Sequence, residues 1–374
     1  LGQFTGTPTP ALGSAAIAAA LAQAGLPADK VDEVIMGCVL PAGLGQAPAR
    51  QASRMAGIPD AAGCTTINKV CGSGMKAAML AYDIIQAGSA QTVVAGGMES
   101  MTNAPHLLNG SRTGIRYGSA EFLDHMAYDG LTNPYDGKAM GVFGDLACAK
   151  YGYDRAAIDA YSAESARRAQ AAQAAGAFDA EIAPVTVKTR KGEVVVAKDE
   201  EPGKIDPAKI PDLRPAFGKD GVLTAASSSK ISDGAAALVV MAAEAAAAAG
   251  IKPLARIVAH ATHAQAPEWF TTAPVSAIQK VLAKAGWSVV DVDLFEVNEA
   301  FACVAMAPMT DLGIPHNKLN VNGGALALGH PIGASGARLL VTLVHALQAR
   351  GGKRGVASLC IGGGEATAVA IELA

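Results

Sequence analysis

Apolar positions in the first hundred residues recur first with the period of a helix and then in short unbroken runs. A helical pattern covers residues 11–25 and ends at a glycine, and a strand interrupted by Gly37 follows at residues 34–40. A second helix is predicted over residues 73–86 and a short buried strand over residues 92–95. Alternating helices and strands favour an α/β fold.

The C-terminal end repeats this order of elements. It has a strand candidate at residues 319–321, a helix over residues 333–348 and a buried strand at residues 356–359. In both places the second predicted strand is followed by glycines and then by a glutamate, Glu99 or Glu365. Two halves of similar build would explain the match, but the spacings differ, so a chance match between two ordinary βαβ units stays open.

Residues 104–232 have a different character and predict an insertion. They contain most of the polar loops and one amphipathic helix, from an N-cap at Asp154 to a stop at Gly176. Such insertions commonly cover an active site. The predicted domains are an N-terminal half of residues 1–103 with 233–253, an inserted loop domain of residues 104–232, and a C-terminal half of residues 254–374.

Composition excludes several classes of protein. The 374 residues are 51% hydrophobic, which is enough for a sizeable core, and 17% charged with a net charge of -3, so no basic stripe indicates nucleic acid. The run over residues 234–250 is too short to cross a bilayer. Six cysteines without a CxxC pair favour free thiols in a reducing, cytoplasmic compartment: they are Cys38, Cys64, Cys71, Cys148, Cys303 and Cys360.

No metal or nucleotide-phosphate site is predicted. His260 and His263 have HxxH spacing, but no carboxylate or third ligand stands near them in the sequence, which favours a solvated loop over zinc. None of the glycine-rich segments has the pattern of a phosphate-binding P-loop.

Cys71 is a candidate nucleophile. Residues 68–74 read NKVCGSG, which places the thiol between a strand and a helix N-terminus. A helix N-terminus stabilises a thiolate, so we expect the thiol pKa to be lowered, and a backbone N–H there can bind an oxyanion. A buried structural cysteine is the alternative.

His330 is a candidate base. Residues 327–336 read ALGHPIGASG, in which the histidine stands between glycine and proline before a predicted helix. A fixed backbone and little neighbouring bulk suit an imidazole that deprotonates a thiol. A histidine that only caps the helix is the alternative.

Two further segments can add to such a site. Cys360 ends a buried strand and precedes three glycines, so its thiol could take or give a proton, although a core cysteine is the alternative. Asn298 follows a strand at residues 293–297, where it could cap the next helix or fix a water with its amide.

Together these segments resemble the thiolase family. The resemblance covers nearly the whole chain in the family's order. It rests on residues 68–77 (NKVCGSGMKA), 95–101 (AGGMESM), 298–302 (NEAFA), 322–338 with its GHP, and 360–364 (CIGGG). The fold it implies is an α/β fold of five layers, α-β-α-β-α, made from two similar βαβαβαββ halves with an inserted loop domain.

The resemblance also implies a reaction and a role for each residue. The reaction is ping-pong thiolytic cleavage of a 3-ketoacyl-CoA, or the reverse Claisen condensation of two acetyl-CoA. Cys71 would carry the acyl group, His330 would activate its thiol, and Cys360 would move the α-proton. The N–H groups of Cys71 and Gly362 would form one oxyanion hole, and His330 with a water held by Asn298 the other.

The residues around the substrate depart from the family pattern. Implied acyl or coenzyme A contacts are Ser229, Phe217, Phe301, Met140, Phe270 and Lys204. Ala139 stands where acetoacetyl-CoA thiolases usually have histidine, Phe270 where a methionine lines the substrate, and Gly203 where an arginine points to the adenine. Residues 1–4 resemble the tail of the family's first strand, without which the sheet should be less stable. Acyl-chain preference and nucleotide contacts stay open.

Partners and alternatives complete the hypothesis. We expect coenzyme A thioesters as substrates, no cofactor or metal, no nucleic acid or membrane partner, and a homodimer or homotetramer in fatty acid metabolism. Other possibilities are a decarboxylating condensing enzyme, a non-catalytic acyl-CoA or lipid carrier, and a redox protein that pairs Cys71 with Cys360. The net direction of the reaction stays open.

Overall fold

The computed structural model describes residues 2–374; Leu1, the first residue of the strand-like tail, lies outside the described residues. The strands are β1 (Glu33–Gly37), β2 (Gly63–Ile67), β3 (Thr92–Ser100), β4 (His106–Leu107), β5 (Leu123–Asp124), β6 (Val185–Thr189), β7 (Gly192–Val196), β8 (Asp233–Met241), β9 (Ala255–Ala264), β10 (Leu294–Val297), β11 (Arg354–Ile361) and β12 (Glu365–Leu373).

Helices alternate with these strands. The α-helices are α1 (Thr9–Ala24), α2 (Pro48–Met55), α3 (Ser73–Gln86), α4 (Met140–Tyr151), α5 (Arg155–Ala174), α6 (Ala243–Ala248), α7 (Ala273–Ala285), α8 (Ala302–Leu312), α9 (Ala325–Leu328) and α10 (Ser335–Arg350). The 3-10 helices are Ala28–Lys30, Ser111–Thr113, Pro202–Lys204, Pro207–Asp212, Pro267–Thr272, Val289–Asp291 and His316–Lys318, and Met126–Leu131 is a π-helix.

The first sheet has the strand order β2-β1-β3-β8. β1 pairs in parallel with β2 and β3, and β8 runs antiparallel to β3. Every residue of β3 is buried, as expected for a strand covered on both faces. Gly97 in β3 leaves room for a loop of the C-terminal half, because a Cβ there would overlap the carbonyl oxygen of Gly333.

The second sheet has the strand order β10-β11-β12-β9. β10 and β11 are parallel, β12 returns antiparallel to β11, and β9 covers the outer edge of β12. The predicted strand at residues 319–321 is absent from the described chain, where Leu319 makes only one bridge, to Phe295. His260 and His263 lie in β9, so the prediction of a solvated loop there was wrong.

Helices α3 and α10 lie between the two sheets, which gives the five layers. One buried cluster joins Ile35 of β1, Met79 of α3, Leu343 of α10 and Leu359 of β11. The two helices touch through glycine: a Cβ on Gly74 would stand 2.8 Å from the backbone nitrogen of Ala337. Helices α1 and α2 cover the outer face of the first sheet, and α7 and α8 that of the second.

The segment between β3 and β8 packs on the C-terminal half. Its longest helix, α5, is capped by Asp154, whose carboxylate accepts the N–H of Ala157 at 2.8 Å. From α5 the Tyr161 hydroxyl donates to Glu299 at 2.9 Å, and Arg168 donates to the Leu319 carbonyl at 2.7 Å. None of the helices described here has the length and apolar character needed to cross a membrane.

Candidate active site

Cys71 lies in the turn that joins β2 to α3. Val70 before it has a φ of 47°, a left-handed conformation that is costly for a β-branched residue. The Ser73 hydroxyl holds the turn, because it donates to the Val70 carbonyl at 2.6 Å and accepts the Lys69 N–H at 2.9 Å. Gly72 lets the turn approach the C-terminal half, since a Cβ there would overlap Ile361. The thiol is therefore fixed where the two halves meet.

The Cys71 thiol is protonated at rest. Burial raises its pKa to about 11, while the N–H groups of Gly362 and of Cys71 itself favour the thiolate and oppose this shift. The expected lowering of the pKa at a helix N-terminus was wrong, because the loss of solvent outweighs those backbone groups. Cys71 accordingly needs a base at the moment of attack.

His330 supplies a neutral imidazole. It lies in the loop between α9 and α10 with 5% of its surface exposed. Burial, and then the positive charge of Arg338, lower its pKa to about 3. The ring is neutral at physiological pH and can accept a proton. Ile332, two residues further on, packs in the cluster that Cys71 also contacts, so this loop and the nucleophile turn are neighbours.

Asn298 reaches the same imidazole from the end of β10. Its Nδ2 lies 3.4 Å from His330 Nε2, and its own N–H donates to the Ser358 carbonyl at 3.0 Å. The interpretation of Asn298 as a helix cap was wrong, because α8 begins only at Ala302, after Phe301. Its Oδ1 is buried and, within residues 2–374, has no hydrogen-bond partner. A buried amide oxygen without a partner is a suitable place for a bound water.

Cys360 ends β11 and is fully buried. Burial, and then the proximity of Cys71, raise the pKa of the Cys360 thiol well above its usual range. Gly363 and Gly364 follow with φ values of 94° and 91°, which only glycine adopts readily, and they turn the Gly362 backbone back toward Cys71. The ion pair between Lys69 and Glu365 ties this turn to the nucleophile turn.

Glu99, to which the sequence assigned no function, joins the two halves beside the site. Its buried carboxylate accepts the N–H groups of Val39 at 3.0 Å and Leu40 at 3.1 Å, both in the first half. It also accepts the N–H of Gly333 at 2.9 Å, in the loop that carries His330. Burial raises its pKa to about 7, against the effect of these three donors. The only sequence signal was its place after the glycines of β3.

Four of the predicted substrate residues form one apolar wall. Phe301 packs edge-on against Phe217 at 5.7 Å and against Phe270 at 6.4 Å between ring centroids. Met140 lies close to Gly362, because a Cβ on that glycine would stand 3.4 Å from the methionine Cε. The same cluster contains Cys360. These side chains surround the Cys360 side of the site.

The other two predicted contacts fall in different places. Ser229 is next to the wall, with its N–H donated to the Ala300 carbonyl at 3.0 Å. Lys204 is exposed and pairs with Glu200 at 2.9 Å and Glu201 at 2.7 Å. It lines a cavity of about 2160 Å³ beside β8, which Cys71 does not line. The structure does not bring Lys204 to the catalytic residues.

Two domains of a known protein family cover almost the whole chain. Residues 1–244 match the family described as thiolase, N-terminal domain, and residues 251–373 match thiolase, C-terminal domain. The chain belongs to the thiolase family. Cys71 lies within the first matched range, and Asn298, His330 and Cys360 lie within the second.

This thiolase is similar to several named relatives over its full length. It is 50% identical over 378 residues to the acetyl-CoA acetyltransferase of Chromobacterium violaceum, a match that covers 100% of this chain and 96% of the relative. It is 50% identical to acetyl-CoA acetyltransferase 2 of Arabidopsis thaliana, which covers 100% of this chain and 93% of the relative. The Acat5 thiolase from Ascaris suum, solved in complex with coenzyme A, superposes with a TM-score of 0.94 at 40% identity, covering 100% of this chain and 96% of that chain.

Together these comparisons confirm the predicted family and fold class. The described part of the thiolase contains no group of three His, Cys, Asp or Glu side chains arranged to hold a metal ion. The groups available for chemistry are two thiols, a neutral imidazole, an amide and backbone N–H donors.

Proposed function

We propose that this thiolase transfers acyl groups between coenzyme A thioesters through an acyl-cysteine on Cys71. The observation that carries the proposal is the meeting of a protonated thiol from one half with a neutral imidazole and a second thiol from the other. Burial disfavours a resting pair of thiolate and imidazolium, because burial raises the pKa of Cys71 to about 11 and lowers the pKa of His330 to about 3. The chemistry that fits is proton transfer during attack.

The first half-reaction would form the acyl-enzyme. As the Cys71 sulfur bonds to the thioester carbon, its proton passes to His330 Nε2. The N–H groups of Cys71 and Gly362, which already favour negative charge on the thiol, would bind the oxyanion. The carbon–sulfur bond to coenzyme A then breaks, and His330 returns the proton to the departing thiolate. The imidazole is neutral again at the end.

The second half-reaction would use Cys360. In the condensation direction the Cys360 thiol passes its proton to the neutral His330, and the thiolate so formed removes the α-proton of the second acetyl-CoA. The resulting carbanion forms a carbon–carbon bond to the acetyl group as the bond to Cys71 sulfur breaks, and the Cys71 thiolate takes the proton back from His330. Charge on the second thioester oxygen would face His330 and a water on Asn298 Oδ1. Thiolysis runs the same steps backward. The burial that raises the pKa of Cys360 makes its thiolate a strong base.

Acetyl-CoA and other short-chain coenzyme A thioesters are the substrates we propose. Relatives at about half identity are named acetyl-CoA acetyltransferases, and the similar Ascaris suum thiolase was solved with coenzyme A. The aromatic wall of Phe217, Phe270 and Phe301 supports a short acyl group, because the three rings pack against one another in the buried cluster that contains Cys360.

Intact-protein mass spectrometry after mixing with acetyl-CoA tests the proposal. The unaltered protein and Cys360→Ala should gain one acetyl group, whereas Cys71→Ala should gain none. Cys360→Ala should then fail to release acetoacetyl-CoA. Cys64→Ala, a partly buried cysteine in β2, is the matched control and should behave as the unaltered protein. Acetylation of Cys71→Ala, or full condensation by Cys360→Ala, would contradict the assignment.

The same assay separates the alternatives. A carrier would bind acetyl-CoA without covalent labelling, and a decarboxylating enzyme would require malonyl-CoA as its second substrate. Chain length is tested by thiolysis of 3-ketoacyl-CoA substrates from four carbons upward. Phe270→Ala should raise kcat/KM for longer chains relative to acetoacetyl-CoA, and an unchanged ratio would remove Phe270 from the pocket.

We also propose a homodimer or homotetramer in a reducing, cytoplasmic compartment. All six cysteines, each within the described residues, are free thiols. Tyr117, Phe122 and Tyr135 of the inserted segment are exposed, Tyr117 fully, and a second copy would cover such side chains. Light scattering tests the assembly, and a monomer at micromolar concentration would contradict it. Cell fractionation tests the compartment.

A further inference from the structure

The chemistry of a neutral imidazole depends on which ring nitrogen carries the proton. His330 can accept the Cys71 proton at Nε2 only if the proton of the neutral ring is on Nδ1. The partner of Nδ1 is the hydroxyl of Ser335, the first residue of α10, at 2.6 Å. Ser335 is 1% exposed and His330 is 5% exposed, so water competes little for this contact.

The hydroxyl of Ser335 has a second partner for its own proton. It lies 3.0 Å from the Pro331 carbonyl, which also accepts the N–H groups of Ala334 at 2.8 Å and of Ser335 at 2.9 Å. While the hydroxyl donates to that carbonyl, its oxygen can only accept toward His330. In this arrangement the ring nitrogen that faces it is the donor, Nδ1–H.

The other side of the ring agrees with this assignment. His330 Nε2 lies 3.4 Å from Asn298 Nδ2, an amide group that only donates. An unprotonated Nε2 satisfies this contact, whereas an Nε2–H would place two donors against each other. The contact with Asn298 therefore favours the Nδ1–H tautomer, and the contact with Ser335 on the opposite side of the imidazole accommodates it.

We propose that Ser335 is a positioning residue that sets the resting tautomer of His330, with the proton on Nδ1 and Nε2 left as the acceptor for the Cys71 proton. This inference rests on the proposed acyl transfer for its consequence but not for its geometry. The hydroxyl can also rotate and donate to an unprotonated Nδ1. The same serine would then support a ring that donates from Nε2 to the oxyanion of the second half-reaction.

Nitrogen NMR of the full chain labelled with ¹⁵N-histidine tests the tautomer directly, and His330→Asn assigns the resonances. In the resting unaltered protein we expect a protonated shift at His330 Nδ1 and an unprotonated shift at Nε2. Ser335→Ala should mix the two forms. A protonated Nε2 in the unaltered protein would overturn the proposal even if the Ser335 variants failed to fold.

Kinetics tests the consequence. Ser335→Ala should slow acetylation of Cys71 roughly 10- to 100-fold, the range seen when partners that orient a metal-binding histidine are removed, with KM for acetyl-CoA little changed. Ser335→Thr retains the hydroxyl and should restore most of the rate. Ser162→Ala removes another buried hydroxyl bonded to a carbonyl, that of Ile158 at 2.8 Å, and should leave rate and tautomer unchanged.

The outcomes separate the two proposals. Absence of acetyl-Cys71 in the unaltered protein would refute acyl transfer and leave the NMR result valid. Normal acetylation by Ser335→Ala, or equal losses in Ser335→Ala and Ser335→Thr with both folded, would refute the role of Ser335 while acyl transfer stood.

Discussion

The two halves share a plan but end their sheets differently. In the C-terminal half β12 lies between β11 and β9, and six consecutive residues from Ala366 to Ile371 are buried. In the N-terminal half β8 is the matching antiparallel strand, yet no described residue pairs with its outer edge, and only Ala236 in it is buried. The cavity of about 2160 Å³ runs along that open edge.

The two halves also divide the chemistry. The nucleophile Cys71 belongs to the N-terminal half, while His330, Asn298 and Cys360 belong to the C-terminal half. The nucleophile turn is held against the C-terminal half by contacts across the interface, among them the ion pair between Lys69 and Glu365. The following predictions test how far the first half depends on the second.

The largest expected effect is removal of the base that the C-terminal half supplies. His330→Ala should lower the rate of Cys71 acetylation by roughly 10²- to 10⁴-fold at neutral pH. Because the Cys71 pKa is about 11, the variant should speed up about tenfold per pH unit as the thiol ionises, so the deficit shrinks as pH rises. The unaltered enzyme needs no such ionisation, since His330, with a pKa of about 3, is already neutral. Stopped-flow acylation from pH 6 to 9 measures this; a pH-independent variant would contradict it.

The next largest effect is expected on stability, when the two central helices α3 and α10 are forced apart. A Cβ on Gly336 of α10 would overlap the backbone of Met75 in α3, so Gly336→Ala should lower the free energy of unfolding by about 2 to 3 kcal/mol. Gly203→Ala is the control, because nothing lies within 4 Å of a Cβ there. Urea titration compares the two variants. Equal stability would mean that the halves do not depend on close contact of these helices.

Loss of the carboxylate that joins the halves should have a smaller effect on stability. Glu99→Gln places an amide N–H2 against backbone donors from both halves and should cost about 1 to 2 kcal/mol, with kcat lowered and KM little changed. Glu299→Gln is the comparison, since that carboxylate binds Ser165 at 2.7 Å and Asn320 at 2.9 Å without reaching the first sheet. It should lose stability with a smaller fall in kcat. The same change in kcat for both variants would argue against a special role for Glu99.

The smallest effect concerns the open edge itself. Amide hydrogens of β8 should exchange with solvent sooner than those of β12, because an edge strand lacks a partner on one side. Hydrogen exchange followed by mass spectrometry of peptic peptides compares the two strands in one sample. Equal protection would show that something covers β8 in solution.

Sequence patterns located the long elements well. The helix predicted over residues 73–86 is α3 with the same bounds, and the cap at Asp154 is formed. Those signals are local, since apolar period and capping chemistry lie within a few residues. The strand at residues 319–321 failed because its apolar positions serve packing and two isolated bridges, from Leu319 to Phe295 and from Val321 to Gly323. A short apolar run does not reveal whether a partner strand is within reach.

The sequence brought forward the candidate residues of the site but not their electrostatics. The motifs at Cys71, His330 and Cys360 proposed the reacting groups, and the family comparison covers the ranges that contain them. The direction of the Cys71 pKa shift was wrong, because desolvation comes from both halves and no motif records it. Glu99 and Ser335 were missed as contributors because their contacts depend on the folded backbone. The partners of Glu99 lie in distant loops, and Ser335 meets His330 only because the chain between them turns back.

By itself the sequence determined the family and the order of the elements and proposed the reactive side chains, since these follow from local pattern and from motifs along the chain. Tertiary structure alone decided that burial raises the pKa of the Cys71 thiol, that the imidazole of His330 is neutral, and that Ser335 faces Nδ1. Those properties arise from burial and from contacts between distant segments, and their energies depend on distance in space rather than on position in the chain.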